Sequence, residues 1–283
     1  MRRRRAIVAL LALGAFGAAA ASQAALERRQ AGRDSAWQIL YLPSGRYLKV
    51  SSLGFAPLLA DFIYLWSIQY YGSYHASVRY DLVEKIYVDV IGELDPLYRD
   101  AYTLAALILV AEARDPERAL KALEAGMERN PGDWLLPFEA GFIAFNSLRD
   151  YERAAAYYAR AMVLPDAPPF TRRLHAEMYN KMGDKETSYA RWREVYEGAV
   201  DESVRQIAYS HVHDLEIEIE LALLREKVWE YRQRHAAWPA RLQALVREGL
   251  LAALPLDPEG LPYLYEATTG DVRSQSKFRL WRR

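Results

Sequence analysis

A short stretch at residues 211–220 carries the side chains that come closest to a catalytic or metal-binding set. His211, His213 and Asp214 are followed by glutamates at every second position. On a helix, residues i and i+2 point to different sides, whereas the two histidines of a zinc-binding helix stand at i and i+4. The alternating glutamates are spread around the helix in the same way, as on a solvated face. We therefore predict no metal site and no cofactor site here.

A second candidate is Asp61, the single charge in an apolar stretch from Leu58 to Ile63. A carboxyl group buried in such surroundings can act as a functional acid. The more ordinary expectation is that it caps a loop or pairs with an arginine. The sequence contains no phosphate-binding glycine loop, nucleophile motif or paired-histidine motif. It therefore predicts no catalytic residue.

The composition describes a globular chain without a strong overall charge. Its 283 residues are 52% hydrophobic and 26% charged, enough for one large domain or two modest ones with a real core. Basic and acidic residues number 37 each, so no overall field attracts nucleic acid, and we expect no nucleic-acid partner. The absence of cysteine excludes disulfides, thiolate metal sites and a cysteine nucleophile.

Residues 1–26 have the composition of a targeting segment. Four arginines precede an uncharged stretch of 21 residues, Ala6 to Leu26, that is rich in alanine and leucine. This stretch suits the apolar core of a cleaved signal peptide, with small residues at the cleavage site near Ala24. It is also long enough to span a bilayer as an uncleaved anchor. Both alternatives place the rest of the chain outside the cytoplasm, in the periplasm or anchored at the inner membrane.

The most informative pattern is an internal repeat with a step of 34 or 35 residues. The segment Asp115–Ala119 is echoed at Asp150–Ala154 and again at Asp184–Ser188. Each segment ends on a small residue, which is followed four positions later by a large one and three positions after that by a third core residue. The large residues are Leu123, Tyr158 and Trp192, and those that follow them are Gly126, Ala161 and Val195. Prolines at positions 96, 131 and 165 close successive units, because proline ends a helix.

This pattern resembles the tetratricopeptide repeat, a 34-residue unit of two helices with small residues at the helix contact and a closing proline. The resemblance covers about residues 60 to 200. It implies an all-α fold, an α-solenoid of about four helical hairpins. An earlier, degenerate unit would have Gly72 in its first helix and Glu84, Val88 and Ile91 in its second.

The resemblance also implies where a partner would bind. In tetratricopeptide-repeat proteins the first helices of successive units line a concave groove that binds peptides. The register places eight residues on that face: Leu104, Ile108, Glu139, Ile143, Asn146, Arg173, Glu177 and Asn180. The face is apolar in its early part and polar in its late part, which suits an extended or helical peptide. We therefore expect protein partners.

The segments that precede the repeats are predicted to differ from them. Residues 27–55 are expected to form an extended, turn-rich linker, because Pro43 and Gly45 favour a turn. The solenoid is then expected over residues 56–200, beginning with an apolar helix rich in tyrosine and tryptophan. This aromatic helix is interpreted as an N-terminal cap on the repeats. The alternative is an exposed aromatic face for a partner or for the membrane interface.

The C-terminal part is predicted as a long helix and a small module. Residues 201–237 should form the helix, with Asp201 or Ser203 as its N-cap. Residues 238–283 resemble the C-terminal part of the major pseudopilins of type II secretion, which implies a short helix and a β-hairpin. The residues that carry the resemblance are Trp238–Pro239, Gly249–Leu251, Asp257–Pro258 and Thr269–Gly270. The methylated apolar helix of pseudopilins, with its early glutamate, is not found, so we do not expect the chain itself to be a pseudopilin.

The sequence therefore predicts a non-enzymatic protein-binding scaffold or assembly factor of the cell envelope, with a possible link to a secretion or type IV pilus machine. The first alternative is an envelope enzyme that acts on polysaccharide or peptidoglycan and uses the repeats as a specificity module. It requires carboxylates that converge near Asp61 or within residues 211–220. The second alternative is a membrane-tethered spacer, for which charge reversal at Glu139 and Glu177 would leave every interaction intact.

Overall fold

The computed structural model describes residues 42–72 and 79–276, which are predominantly helical. The predicted targeting segment, residues 1–26, lies outside the described residues, as do residues 27–41 of the linker and the last seven residues of the C-terminal module. Within the described ranges, no helix combines the length and the apolar character needed to cross a bilayer.

The chain folds as two compact units, one that ends at Ile108 and one that begins at Leu109. The described elements of the first unit are α1 (Gly45–Ser51), α2 (Ala56–Gly72), a 3₁₀ turn (Arg79–Leu82), α3 (Glu84–Ile91), α4 (Gly92–Leu94) and most of α5 (Arg99–Ala111). Its core is rich in tyrosine: the Tyr87 ring stacks on Tyr71 at 5.8 Å and accepts a hydrogen bond on its hydroxyl from Ser67 at 2.9 Å.

The early, degenerate repeat unit is present as helices in this first unit. Gly72 ends α2, and the predicted second helix appears as α3, which begins at Glu84 and ends at Ile91. The geometry of α3 is π-helical, which the sequence pattern did not indicate.

The prediction of an extended, turn-rich segment around Pro43 and Gly45 is wrong, because residues 45–51 form helix α1. Ser44 caps this helix by accepting a hydrogen bond from the backbone nitrogen of Tyr47. A Cβ atom at Gly45 would lie 2.5 Å from the carbonyl oxygen of Asp89 in α3. The glycine that suggested a turn is instead required where two helices approach each other closely.

The second unit is a series of packed helical hairpins followed by a small module. Its elements are α6 (Pro116–Arg129), α7 (Leu135–Ile143) with a π-helical continuation (Ala144–Leu148), α8 (Tyr151–Ala161), α9 (Phe170–Met182), α10 (Lys185–Glu197), α11 (Glu202–His235), α12 (Gln243–Arg247), β1 (Leu264–Glu266) and β2 (Asp271–Arg273). From α6 to α11, each helix packs against the next one in the chain. The predicted all-α, solenoid-like fold is confirmed.

The repeated aspartate of the sequence pattern starts the second helix of each hairpin. The side chains of Asp115, Asp150 and Asp184 each accept a hydrogen bond from the backbone nitrogen three residues further on, at 3.0 to 3.1 Å. Because the first N–H groups of a helix lack partners within it, such a cap fixes where the helix begins. The repeated motif thus marks the start of α6, α8 and α10.

The small residues of the pattern lie where consecutive helices approach each other. Ala119, Ala154 and Ser188 are fully buried. Helices α7 and α8 approach each other closely at Gly141 of α7, where an added Cβ atom would lie 2.7 Å from the ring of the buried Tyr158 in α8. The hairpin α7–α8 therefore depends on the absence of a side chain at this position.

The C-terminal module is built on the second half of α11. Leu224 and Val228 of α11 form one buried cluster with residues of the module, which are Leu242, Leu245, Tyr263 and Val272. Strands β1 and β2 pair antiparallel, with Tyr265 opposite Val272, as the sequence predicted for a hairpin at the Thr–Gly turn. Gly270 in this turn has a φ of +76°, and an added Cβ atom would lie 2.6 Å from the Trp238 ring. Both the backbone conformation and the close contact therefore require glycine.

We expect Gly141→Ala to lower the free energy of unfolding by about 1–3 kcal/mol, because the added methyl group overlaps the ring of a fully buried tyrosine. Gly132→Ala is the matched control, since nothing lies within 4 Å of its added Cβ atom. Thermal unfolding followed by circular dichroism compares the two variants. Equal midpoints would contradict the close packing of α7 on α8.

Candidate functional site

The eight residues predicted to line a groove fall in both units. Leu104 and Ile108 lie on α5 in the first unit, where Leu104 is half-buried and Ile108 is 7% exposed. The other six lie in the second unit on α7 with its continuation and on α9: Glu139, Ile143, Asn146, Arg173, Glu177 and Asn180. Ile143 is only 6% exposed and belongs to the core, whereas the five polar residues keep part of their surface accessible.

Aromatic contacts hold the beginnings of α7 and α9 side by side. The Phe170 ring at the start of α9 meets Phe138 of α7 at 5.3 Å and Trp134 at 6.2 Å, both edge to face. Edge-to-face pairs are favourable because the positive ring edge meets the negative ring face. The first helices of two consecutive hairpins are thereby neighbours, as the repeat register requires.

The same register continues onto α11, which the sequence analysis treated only as a terminal helix. A step of 34 residues leads from Glu177 to His211 and from Asn180 to Asp214. Burial lowers the pKa of His211, while the Glu177 and Asp214 carboxylates raise it and Arg173 lowers it further. Residues of α9 and α11 are thus close enough to interact electrostatically. The first-helix face, as we define it, comprises Glu139, Asn146, Arg173, Glu177, Asn180, His211 and Asp214.

His211 presents a flat and largely neutral ring at this face. It stacks on the Trp192 indole with ring centroids 3.9 Å apart and an angle of 8°. Its lowered pKa favours the uncharged imidazole at neutral pH. The type and spacing of His211 suggested only a metal ligand, and the 34-residue register is the signal in the sequence that places it on the binding face.

His213 points away from His211, as the i and i+2 spacing predicts. Its Nε2 atom lies 3.8 Å from a Glu259 carboxylate oxygen and 3.5 Å from the Ser276 hydroxyl, both in the C-terminal module. Within the part of the chain that the structure describes, no group of three or more histidine or carboxylate side chains is arranged to hold a metal ion.

Two charged side chains of the first-helix face are partly removed from water and leave hydrogen-bonding capacity unused. Burial raises the pKa of Glu139, and its carboxylate makes no hydrogen bond or ion pair with any described residue. The Nε atom of Arg173 is buried and has no hydrogen-bond partner in the described part of the chain. Buried polar groups are normally paired, so exceptions of this kind often mark a place where a ligand supplies the partner.

Tyr158 lies close to Glu139 on the neighbouring helix. Its hydroxyl is buried and, within residues 42–72 and 79–276, has no hydrogen-bond partner. Burial raises the pKa of Tyr158 to about 12, and the charge of Glu139 adds to this effect. The region around Glu139 is therefore poorly solvated, and no cation among the described residues balances its negative charge.

The later part of the face is internally paired. The Glu177 carboxylate accepts a hydrogen bond from the Asn180 amide at 3.4 Å and lies 3.4 Å from the Lys181 ammonium. These contacts are on the surface of α9, where ion pairs contribute little to stability. They orient Glu177 and Asn180 without using all of their hydrogen-bonding capacity.

The carboxylates that an enzyme would use have separate hydrogen-bond partners, although Glu220 has a pKa that is raised by burial and then by the nearby Glu216 and Asp257 carboxylates. Asp61 is exposed and bonds with the Tyr98 hydroxyl, whose pKa is raised to about 12, first by burial and then by this carboxylate. In the 211–220 stretch, Glu218 forms an ion pair with Lys185, whereas Glu220 accepts a hydrogen bond from Tyr263.

Comparisons with known proteins give limited similarity. No protein-family model matches the chain, and no curated protein matches it in sequence. Among solved structures, it is similar to a thermophilic TPR protein of Thermus thermophilus, with 21% sequence identity, coverage of 72% of this chain and 94% of that one, and a TM-score of 0.34. The helical-hairpin description therefore depends on the caps and helix contacts of this chain itself.

We expect Glu139→Gln to stabilise the protein at pH 7, by about 1 kcal/mol or less, because it removes a poorly solvated charge that has no partner. The pKa of Glu139 is raised by folding, so the ionised carboxylate costs stability above the folded pKa. This cost disappears as the pH falls below the pKa of the unfolded chain, near 4. Thermal unfolding midpoints of the variant and of the unmodified chain are compared between pH 4 and pH 8. The variant should have the higher midpoint only towards the high end of this range.

The matched control is Glu128→Gln, at an exposed glutamate on α6, which should change the midpoint less than Glu139→Gln does at pH 7. A lower midpoint for Glu139→Gln at pH 7 would mean that the Glu139 carboxylate has a stabilising partner, and it would remove the argument for an unpaired charge.

Proposed function

We propose that this chain is a non-enzymatic scaffold that binds a segment of another protein along the first-helix face. The observation that carries the proposal is the pair of unused, poorly solvated charged groups at Glu139 and Arg173. Leaving such groups without partners costs free energy in the unbound protein. A bound segment that supplies a cation to Glu139 and a hydrogen-bond acceptor to Arg173 removes this unfavourable free energy, which favours binding.

The surroundings of these two groups favour a peptide over a small polar ligand. Asn146 is exposed and offers an amide that can both donate to and accept from a peptide backbone. The stacked His211 ring adds a flat surface on the neighbouring helix α11. A row of separate contacts on α7, α9 and α11 suits an extended or helical segment, which touches each helix in turn.

We further propose that the protein works in the cell envelope, with its folded part outside the cytoplasm. The arginine-led, uncharged stretch within residues 1–26 supports this location. N-terminal sequencing of the mature protein separates the two forms of the proposal: a start after Ala24 means a cleaved signal peptide, and a start at Met1 means a retained anchor.

The resemblance of residues 238–283 to pseudopilins supports a link to a secretion or type IV pilus machine. Co-purification of the full chain from membranes tests this link, and recovery of no such component would count against it. The enzyme alternative has less support, since Asp61, Glu218 and Glu220 each bond to a different partner.

We expect a photoreactive amino acid at Asn146 of the full chain, introduced in the cells that produce it, to form a discrete adduct with a protein partner. Glu139→Lys should weaken this adduct by about tenfold, because a like charge then meets the cation of the partner, and one such contact contributes about 1.4 kcal/mol. Denaturing gels stained for the chain measure the adduct.

The control is Glu128→Lys, which makes the same charge change on the exposed surface of α6 and should leave the adduct intact. Circular dichroism checks that both variants fold. If Glu139→Lys, Arg173→Glu and Glu177→Lys all leave the adduct unchanged, the first-helix face does not bind the partner, and the spacer alternative is favoured instead.

A further inference from the structure

Helix α2 is apolar on both of its sides. Its buried side carries Ala60, Ile63 and Ser67, which follow one another at helical spacing and face the tyrosine-rich core. Its other side carries large apolar residues that are exposed to solvent. They are Leu58, Phe62, Leu65 and Ile68, preceded on the same spacing by Phe55. A helix that is apolar all round is normally buried on all sides, in a protein core or in lipid.

Exposed apolar residues are concentrated at this helix. Eight large apolar residues from Tyr47 to Ile68 are exposed: three lie on or next to α1, and the other five are Phe55 and four residues of α2. Single exposed apolar residues are ordinary on a protein surface, whereas a contiguous group marks a contact surface. On α2 itself Phe62 and Leu65 are 62% and 61% exposed. We call Phe55, Leu58, Phe62, Leu65 and Ile68 the outer stripe of α2.

The outer stripe offers few polar groups to a protein partner: Asp61 and Gln69, both exposed, lie among its apolar residues at helical spacing. Asp61 is the only charged residue among the 17 residues of α2, and it bonds with Tyr98. Protein–protein interfaces surround their apolar centre with a polar rim and carry about one hydrogen bond per 100–200 Å². Two basic side chains precede this surface in the sequence, Arg46 and Lys49 of α1; both are exposed, and the Lys49 ammonium lies 3.7 Å from the Glu93 carboxylate. Apolar residues with flanking basic ones are typical of helices that lie in a membrane interface.

The chain upstream would hold α2 close to a bilayer. The uncharged stretch of 21 residues ends at Leu26, and 15 residues separate it from Leu42, where the described chain begins. Fifteen residues span at most about 50 Å when fully extended. If the stretch is retained as an anchor, the first unit cannot move away from the membrane surface, and its high local concentration there makes even weak insertion effective.

We infer that the outer stripe of α2 docks into the surface of the lipid bilayer, so that the first unit lies on the membrane. This inference rests on the anchored form of the proposed envelope location. The outer stripe is separate from the first-helix face in position and in chemistry. The stripe would contact lipid through apolar side chains, whereas the first-helix face would bind protein through charged and amide groups.

The experiment uses the full chain reconstituted in vesicles of phosphatidylcholine and phosphatidylglycerol. The chain has no cysteine, so a single introduced cysteine carries a nitroxide label at one chosen position. The label is placed by Leu65→Cys on the outer stripe, by Ala15→Cys in the apolar N-terminal stretch, or by Glu128→Cys on exposed α6 as the matched control. Electron paramagnetic resonance measures how strongly each of two reagents, oxygen and a nickel complex, relaxes the electron spin of the nitroxide. Oxygen concentrates in lipid, whereas the nickel complex stays in water.

We expect the label at Leu65 to respond several-fold more to oxygen than to nickel, and the label at Glu128 to show the reverse. A nickel response at Leu65 equal to that at Glu128 overturns the inference. A Leu65 label shielded from both reagents also overturns it, because a second copy of the chain then covers the stripe. If Ala15 responds as in lipid while Leu65 responds as in water, the anchor stands and the docking of α2 fails. If Ala15 responds as in water, the anchor fails, and the inference, which rests on the anchor, fails with it.

Discussion

Close approach of consecutive helices is the constraint on which the second unit depends. A single helical hairpin buries too little apolar surface to be stable alone, so each helix has to pack against both of its neighbours in the series. Gly141 leaves room for the Tyr158 ring, and Ser188 donates a hydrogen bond to the Ala176 carbonyl at 3.1 Å across the α9–α10 contact. Larger side chains there would separate the helices and reduce the packing of their aromatic neighbours.

Helix α11 links the repeats to the C-terminal module because it contributes to two cores. Near its start, Ala208 and Leu215 pack with Trp192 of α10. Further along, Leu224 and Val228 form the core of the module with residues of α12 and the hairpin. At about 1.5 Å per residue its 34 residues extend for about 50 Å, long enough for both contacts. A one-turn helix and a two-stranded hairpin could not form a stable core by themselves, so the module requires this helix.

The two proposed surfaces are each unusual in the way their side chains are exposed to water. One has charged groups that are partly buried, and the other has apolar groups that are exposed. On the first-helix face, the charged groups of Glu139 and Arg173 are partly withdrawn from water without partners. On α2, large apolar groups such as Phe62 and Leu65 remain in water. Each departure costs free energy in the isolated chain, and each is relieved by a different environment, a charged peptide in one case and lipid in the other. A scaffold that lies on a membrane and presents a separate peptide-binding face would satisfy both.

From the sequence alone follow the period of the repeats, the long helix that begins after Asp201 and the hairpin at Gly270, because caps, prolines and turn glycines act within a few residues of the chain. The sequence did not determine the role of Gly45, which depends on how closely α3 passes, or that of His211, which depends on Trp192 of another helix. It also could not tell the two sides of α2 apart, since a helix that is apolar all round has no periodic pattern to orient it. Only the tertiary structure decided these points, because each depends on which atoms distant in sequence come into contact.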